Sequence, residues 1–314
     1  VIINGRLSTG ATEMKLSTKD LLLLLLVVVV WGLNFVAIKV GLDGAPPFLL
    51  GVLRFSVLLI PAFFVPLPKV KFHWLLAYGL TINFGQFAFM FSAIDMGMPV
   101  GLTSLVMQSQ AFFTLIMAAI LLKEGLRLNN VIGLLIALFG LMLIAADVGE
   151  HAPVIALFFN LLGALSWAIG NILIKQMKGV NLLSLTVWGG VVSIPFFVVS
   201  SLWLEGAHNF TYTLTHLSMT TMIAVFYLGF IATVVGYGLW GQMLTKYPAS
   251  LIAPFSLLVP VLGMGSSVLV LGEPLSGLEN IGSAIIMAGL CVNVFATNLD
   301  THLRGVFVGK DDKK

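Results

Sequence analysis

Apolar runs of about twenty residues follow one another along this chain with almost no charge inside them, and they leave it few ways to fold. The first, beginning at Leu21, holds six leucines and then four valines before Trp31. A helix of that length crosses a hydrocarbon core of about 30 Å. In lipid only helices and closed barrels satisfy their own backbone groups. Charged residues make up 9% of the sequence, where soluble domains carry about 25%. The fold class this predicts is an all-α integral membrane protein.

Windows of about twenty residues give ten transmembrane helices, over 21–40, 46–67, 73–94, 98–122, 130–147, 153–176, 183–204, 219–243, 249–271 and 278–298. Connections between them are short; the longest, about 205–218, is read as a loop. No cleavage site of small residues follows a short core after Lys15 and Lys19, so the first run is a span and not a secretory signal. Met14-Lys-Leu-Ser reads as a natural start, so residues 1–13 and the closing Gly-Lys-Asp-Asp-Lys-Lys are set aside as vector-like. Basic residues gather on one set of ends: Lys15, Lys19, Lys69, Lys71, Lys123, Arg127, Lys178, Lys246 and Arg304. Asp43, Asp95, Asp147, Glu150, Glu205 and Glu273 take the other set. By the positive-inside rule both termini are cytoplasmic, as segments 1–20 and 299–314.

The chain also repeats. Tyr78, Pro99, Glu124, Gly133 and Gly140 return as Tyr227, Pro248, Glu273, Gly282 and Gly289, all at an offset of 149 residues. Trp31-Gly-Leu-Asn-Phe-Val-Ala-Ile-Lys39 returns as Trp167-Ala-Ile-Gly-Asn-Ile-Leu-Ile-Lys175, at an offset of 136. The halves are 21–147 and 153–298, five spans each. An odd number of spans makes them inverted, with a substrate path expected between them near the midplane, around a central cavity.

Polar residues within such spans are costly and usually serve a site. Candidate substrate-binding residues are Trp31, Asn34, Lys39, Arg54, Tyr78, Asn83, Gln86, Gln108, Trp167, Asn171, Lys175, Tyr237 and Trp240. Arg54 lies about 12 Å along its helix from the nearer end, deep for snorkelling, and suits bidentate binding of a carboxylate. For the tryptophans the plain alternative is an interfacial belt; for the asparagines, helix–helix hydrogen bonding; for Lys39 and Lys175, snorkelling to headgroups. Gln108 and Gln110 point to different faces of a regular helix, so at most one should line a cavity squarely. Glu124 and Glu273 are expected to cap the helices that follow them. His73, His151, His208 and His216 have no partner at metal-ligand spacing, no hydrolase or Walker motif is present, and Cys291 is alone, so neither an enzyme, a metal, a cofactor nor a disulfide is expected.

Leu53-Arg54-Phe, Tyr78-Gly-Leu-Thr-Ile-Asn-Phe-Gly-Gln86, Gly97-Met-Pro99-Val-Gly-Leu, Gln108-Ser-Gln110-Ala-Phe-Phe, Val235-Gly-Tyr237-Gly-Leu-Trp240-Gly and Ser256-Leu-Leu-Val-Pro260-Val, with the Trp31 and Trp167 segments, resemble the EamA family of the drug/metabolite transporter superfamily. The likeness is strongest to exporters of O-acetylserine and cysteine, then to YddG-type exporters of aromatic amino acids. It implies secondary export of amino acids and related metabolites across the bacterial inner membrane by alternating access. Export of other small polar metabolites or drugs, or passive flux through a channel, are the alternatives. A small-molecule substrate and the lipid bilayer are the partners implied; nucleic acid is not, and a monomer is the working expectation.

Overall fold

The computed structural model describes residues 16–125, 128–151, 154–177 and 179–293. The expectations for residues 1–15, Arg127, Lys178, the end of the tenth span over 294–298 and the tail 299–314 lie outside the described residues, as do those for the side chains of Asp147, Glu150 and His151. All regular structure among the described residues is helical. Among the described residues, eight helices are long and apolar enough to cross a membrane: α1 Thr18–Leu42, α3 Phe72–Asp95, α4 Val100–Leu121, α5 Leu128–Ala146, α6 Val154–Gln176, α7 Leu182–Thr215, α8 Met219–Lys246 and α9 Pro254–Leu271. Two apolar helices are shorter, α2 Pro47–Ala62 and α10 Gly277–Asn293. Span two was expected to run to residue 67. Pro66 and Pro68 lack the N–H that a continuing helix needs, and α2 stops at Ala62 before them.

The direction of each helix follows from what it touches. Tyr247, just past α8, donates its hydroxyl to Asp20 Oδ2 at 2.6 Å, while a Cβ on Gly44 would strike Thr221 near the start of α8. So α1 and α8 are antiparallel, and the bundle has a Ser17 end and an Asp43 end. The Gln108 amide donates to the Ser256 carbonyl at 3.2 Å and the Ser104 hydroxyl to that of Pro260 at 3.5 Å, which sets α4 antiparallel to α9. Glycine lets α5 and α10 approach until their backbones meet. A Cβ on Gly133 would lie 2.7 Å from the carbonyl oxygen of Gly289, and one on Gly140 2.7 Å from that of Gly282.

The connection expected over 205–218 is largely helix instead. A π-helical stretch, Ser201–Gly206, ends α7 proper, Gly206 turns the chain with φ +89°, and helix resumes over Ala207–Thr215. Thr211 and Thr215 donate their hydroxyls to the carbonyls of Ala207 and Thr211 at 3.0 Å each. Glu205 fastens the piece to the bundle by accepting from the first N–H groups of α2, Phe48 at 2.6 Å and Leu49 at 3.1 Å.

Some irregularities recur with the repeat, while the π-helical stretches Ser201–Gly206 and Ser267–Leu271 have no counterpart among the described residues of the first half. π-Helical turns fall at Gly79–Gly85 in α3 and at Tyr227–Val235 in α8. Tight 3-10 turns fall at Met107–Ser109 in α4 and at Ala253–Leu257, where α9 begins. Each pair is related by about the offset that relates Tyr78 to Tyr227. The main apolar core, with Ile38, Leu49, Leu50, Phe55, Phe91 and Phe197 almost fully buried, fills the Asp43 half of the bundle. It closes that half.

Candidate functional site

A cavity of about 370 Å³ lies between α1, α2, α3, α4, α6, α7, α8 and α9. On the Asp43 side it stops at Phe35, Arg54 and Met90, beneath the main core. On the Ser17 side its wall runs out to Ile174, Leu182 and Leu244, each within two residues of a helix end. It is blind at one end and leads toward the other.

Three rings form its main wall. The Trp31 ring centroid is 5.2 Å from Tyr237 and 5.3 Å from Trp240, both tilted. The Trp31 indole N–H donates to the Ala232 carbonyl at 3.0 Å, inside the π-helical stretch of α8, where regular backbone bonding is interrupted. Gly236 is the residue that lets the indole in: a Cβ there would sit 2.5 Å from Trp31 Nε1. Tyr227 reinforces the same joint by donating to the Val30 carbonyl at 2.8 Å. Trp167 stands elsewhere in the lining, packed against both the main core and the cluster around Tyr78.

Arg54 is 2% exposed and lines this cavity. One terminal nitrogen donates to Asn34 Oδ1 at 3.4 Å, the other to Thr233 Oγ1 at 3.2 Å. Its guanidinium carbon lies 4.0 Å from the Phe87 ring centroid, a cation–π contact. Nε has no partner. The ion pairs among the described residues are Lys39–Asp43, Lys175–Glu124 and Lys246–Asp20, so no carboxylate neutralises Arg54. A buried charge left unpaired is expensive. Gln86, also in the lining and 4% exposed, has an unpartnered acceptor, Oε1.

The remaining polar groups brace the walls. Tyr78 shares a 3.2 Å hydrogen bond with Thr186. Asn171 donates to Gln110 Oε1 at 2.7 Å and to Thr114 Oγ1 at 3.1 Å. Both Gln108 and Gln110 line the cavity, against the expectation of one at most. Ser109 lies in the 3-10 turn, which winds about 120° per residue rather than 100°, and the regular-helix angle between the two side chains no longer holds.

Of the thirteen expected residues, the cavity lining includes Trp31, Asn34, Arg54, Tyr78, Gln86, Gln108, Trp167, Asn171, Tyr237 and Trp240. Asn83 is buried outside it, its Oδ1 unpartnered and 2.9 Å from where a Cβ on Gly189 would stand. The π-turn between them separates Asn83 from Gln86 in direction. Lys39 and Lys175 lie outside too, in half-exposed pairs with Asp43 at 2.7 Å and Glu124 at 2.9 Å. The expected helix caps also differ. Glu273 accepts from the Val100 N–H, the start of α4 rather than of α10, at 2.9 Å, and from Ser267 Oγ at 2.7 Å. Glu124 is spent on Lys175.

Sequence reasoning passed over Phe35, Phe87, Met90, Met107 and Val259 in the lining, since an apolar residue that faces a cavity has the same sequence signal as one that faces a helix. It also passed over Asp20, which is 4% exposed. Its Oδ2 accepts from Ser17 Oγ, Lys246 Nζ and Tyr247 OH, clasping α1 to α8 at the Ser17 end. A Ser followed three residues later by an acid was the local cue. No group of three or more His, Cys, Asp or Glu side chains suited to a metal exists among the described residues.

The EamA-like transporter family matches this chain twice, over residues 18–146 and again over 154–295. A protein of Salmonella typhimurium named "Probable amino-acid metabolite efflux pump" is 49% identical over 89% of this chain and 96% of its own length. A protein of the same name from Escherichia coli K12 is 47% identical over the same shares. The uncharacterized transporter YvbV of Bacillus subtilis is 27% identical over 88% of this chain and 91% of its own. A solved crystal structure aligns over 92% of this chain and 99% of its own with a TM-score of 0.63 and 20% identity, a likeness of fold alone. The chain therefore belongs to the EamA-like transporter family of the drug/metabolite transporter superfamily, and it is a multi-pass membrane transporter rather than an enzyme.

Proposed function

We propose that this transporter exports amino acids and related metabolites across the bacterial inner membrane by alternating access, and that Arg54 receives the substrate carboxylate. One observation carries the reading: a guanidinium buried in the cavity wall without a counter-charge, held by two neutral oxygens and the rings of Phe87 and Phe55. A carboxylate would supply the missing charge and an acceptor for the idle Nε. Gln86 Oε1 would accept from the substrate ammonium, and the rings of Trp31, Tyr237 and Trp240 would hold its apolar part. A volume of about 370 Å³ accommodates one amino acid with water.

All ten helices cross the bilayer in this reading, as two inverted five-helix repeats with both termini cytoplasmic. Support comes from the recurring π and 3-10 turns. It comes also from the glycine contacts between α5 and α10, where the offset of 149 exchanges Gly133–Gly289 with Gly282–Gly140. With the Ser17 end cytoplasmic, the cavity leads inward, as the first step of export requires. The packed core at the other end speaks for a carrier over an open channel. Counterflow in liposomes tests the function: vesicles loaded with O-acetylserine, cysteine, threonine, methionine or phenylalanine should accumulate labelled substrate by saturable exchange. Unsaturable flux, or none with any amino acid from folded protein, refutes it.

A further inference from the structure

Glu124 and Glu273 occupy equivalent places, yet their carboxylates do different things. Their backbones are alike: the Glu124 N–H donates to the Ala118 carbonyl at 3.2 Å and the Glu273 N–H to that of Ser267 at 3.4 Å, both spans of six residues and both related by the offset of 149. At the closed Asp43 end, Glu273 reaches from the end of α9 to the first N–H of α4 at Val100. At the open Ser17 end the counterpart of Val100 is Ala249, but Glu124 holds both oxygens on Lys175, at 2.9 and 3.0 Å. The counterpart of Lys175 is Lys39, which instead pairs with Asp43. The position equivalent to Asp43 is Gly179, so the second half has no such parking place for its lysine.

We propose that Glu124 and Glu273 are reciprocal latches of the transport cycle. Where an end is closed, its glutamate caps the helix start of the opposite half; where an end is open, the glutamate is handed to the lysine that follows Trp31 or Trp167 by eight residues in the helix beside it. In the alternate state Glu273 leaves the Val100 N–H for Lys39, and Glu124 leaves Lys175 for the N–H of Ala249. Asp43 holds Lys39 aside until then. This rests on the inverted-repeat reading given above, and it gives the two lysines opposite effects. Each glutamate is used in both states, whereas Lys175 ties two helices together only in the state seen here, and Lys39, paired within its own helix end to Asp43 here, ties helices together only in the alternate.

The test uses full-length protein with Cys291→Ala and Leu244→Cys, a half-exposed position at the mouth of the cavity. A membrane-impermeant maleimide reports how often the Ser17 end is open. Lys175→Gln should slow labelling by about two- to fivefold, the worth of a half-exposed ion pair, and Lys39→Gln should not slow it. A second measurement guards against misfolding: Lys39→Cys with Glu273→Cys should form a disulfide under mild oxidation, and the cross-linked protein should leave Leu244→Cys unlabelled. The idea is overturned if both lysine variants shift labelling the same way, if Lys175→Gln leaves the rate unchanged, or if the cysteine pair never joins. Labelling needs no substrate, so an absence of amino-acid exchange would count against the proposed cargo and leave this test standing.

Discussion

Arg54→Gln separates a binding role from a structural one. Gln keeps a donor for Asn34 or Thr233 and removes the charge. On the structural side the loss of the Phe87 contact and one hydrogen bond, about 2 kcal/mol, is offset by no longer burying an unpaired cation. Thermal stability should therefore hold to within about 1 kcal/mol. On the binding side a charge-assisted hydrogen bond to a carboxylate is worth about 1.5–3 kcal/mol, so the apparent affinity should fall about 10- to 100-fold. Counterflow kinetics measure the affinity, and a melting curve in detergent measures the stability. The decisive control is on the substrate: an amino-acid amide, which has no carboxylate, should be carried poorly and equally poorly by both proteins. Unchanged affinity for the free acid refutes the assignment. So does a loss of affinity that the amide shares in full.

Other substitutions test separate parts of the structure. Gln86→Leu should leave stability unchanged or raised, since Oε1 is buried without a partner, while weakening substrates with an ammonium severalfold and sparing those without one, as measured by competition in counterflow. Trp31→Phe orphans the Ala232 carbonyl, and the melting midpoint should fall by an amount corresponding to about 1–2 kcal/mol; an unchanged midpoint would mean that the indole bond braces nothing. Gly140→Leu drives a side chain into the backbone of α10, where even a Cβ would lie 2.7 Å from a carbonyl oxygen. It should cost at least about 1–3 kcal/mol, seen as a loss of folded protein in size-exclusion chromatography, whereas Gly265→Ala, with nothing within 4 Å of its Cβ, should be silent.

Apolar length gave away the helices, because lipid admits little else. Arg54, the two tryptophans and the amides stood out because polar and aromatic groups inside apolar runs are rare enough to notice. Other features depended on distant partners. Glu205 reads as a loop residue until its carboxylate meets the start of α2, and Asp20 draws no reading because its partners Lys246 and Tyr247 lie 226 and 227 residues away. The π and 3-10 turns carry no reliable local pattern, yet they decide that Gln86 enters the cavity without Asn83 and that Gln110 joins Gln108. Register, more than residue type, was what the sequence hid.

The glycines of α8 are unequal. A Cβ on Gly229 would lie 2.5 Å from the Arg54 carbonyl oxygen, and one on Gly236 2.5 Å from the Trp31 indole; on Gly238 and Gly241 it would meet only Leu183 and Leu182, at 3.9 Å. So α8 is pinned against α1 and α2 along its middle, while toward the Ser17 end, where Met243 and Tyr247 pack against α1, its glycines meet the start of α7 only at ordinary contact distance. From the middle of the pinned stretch to Gly241 is about 13 Å of helix, and a tilt of about 10° about it would carry that end about 2 Å toward α7. The Asp20 clasp would make the first turn of α1 travel with it. In the alternating-access reading, two residues without side chains would leave this end of α8 room to move toward α7, and filling them would obstruct that movement.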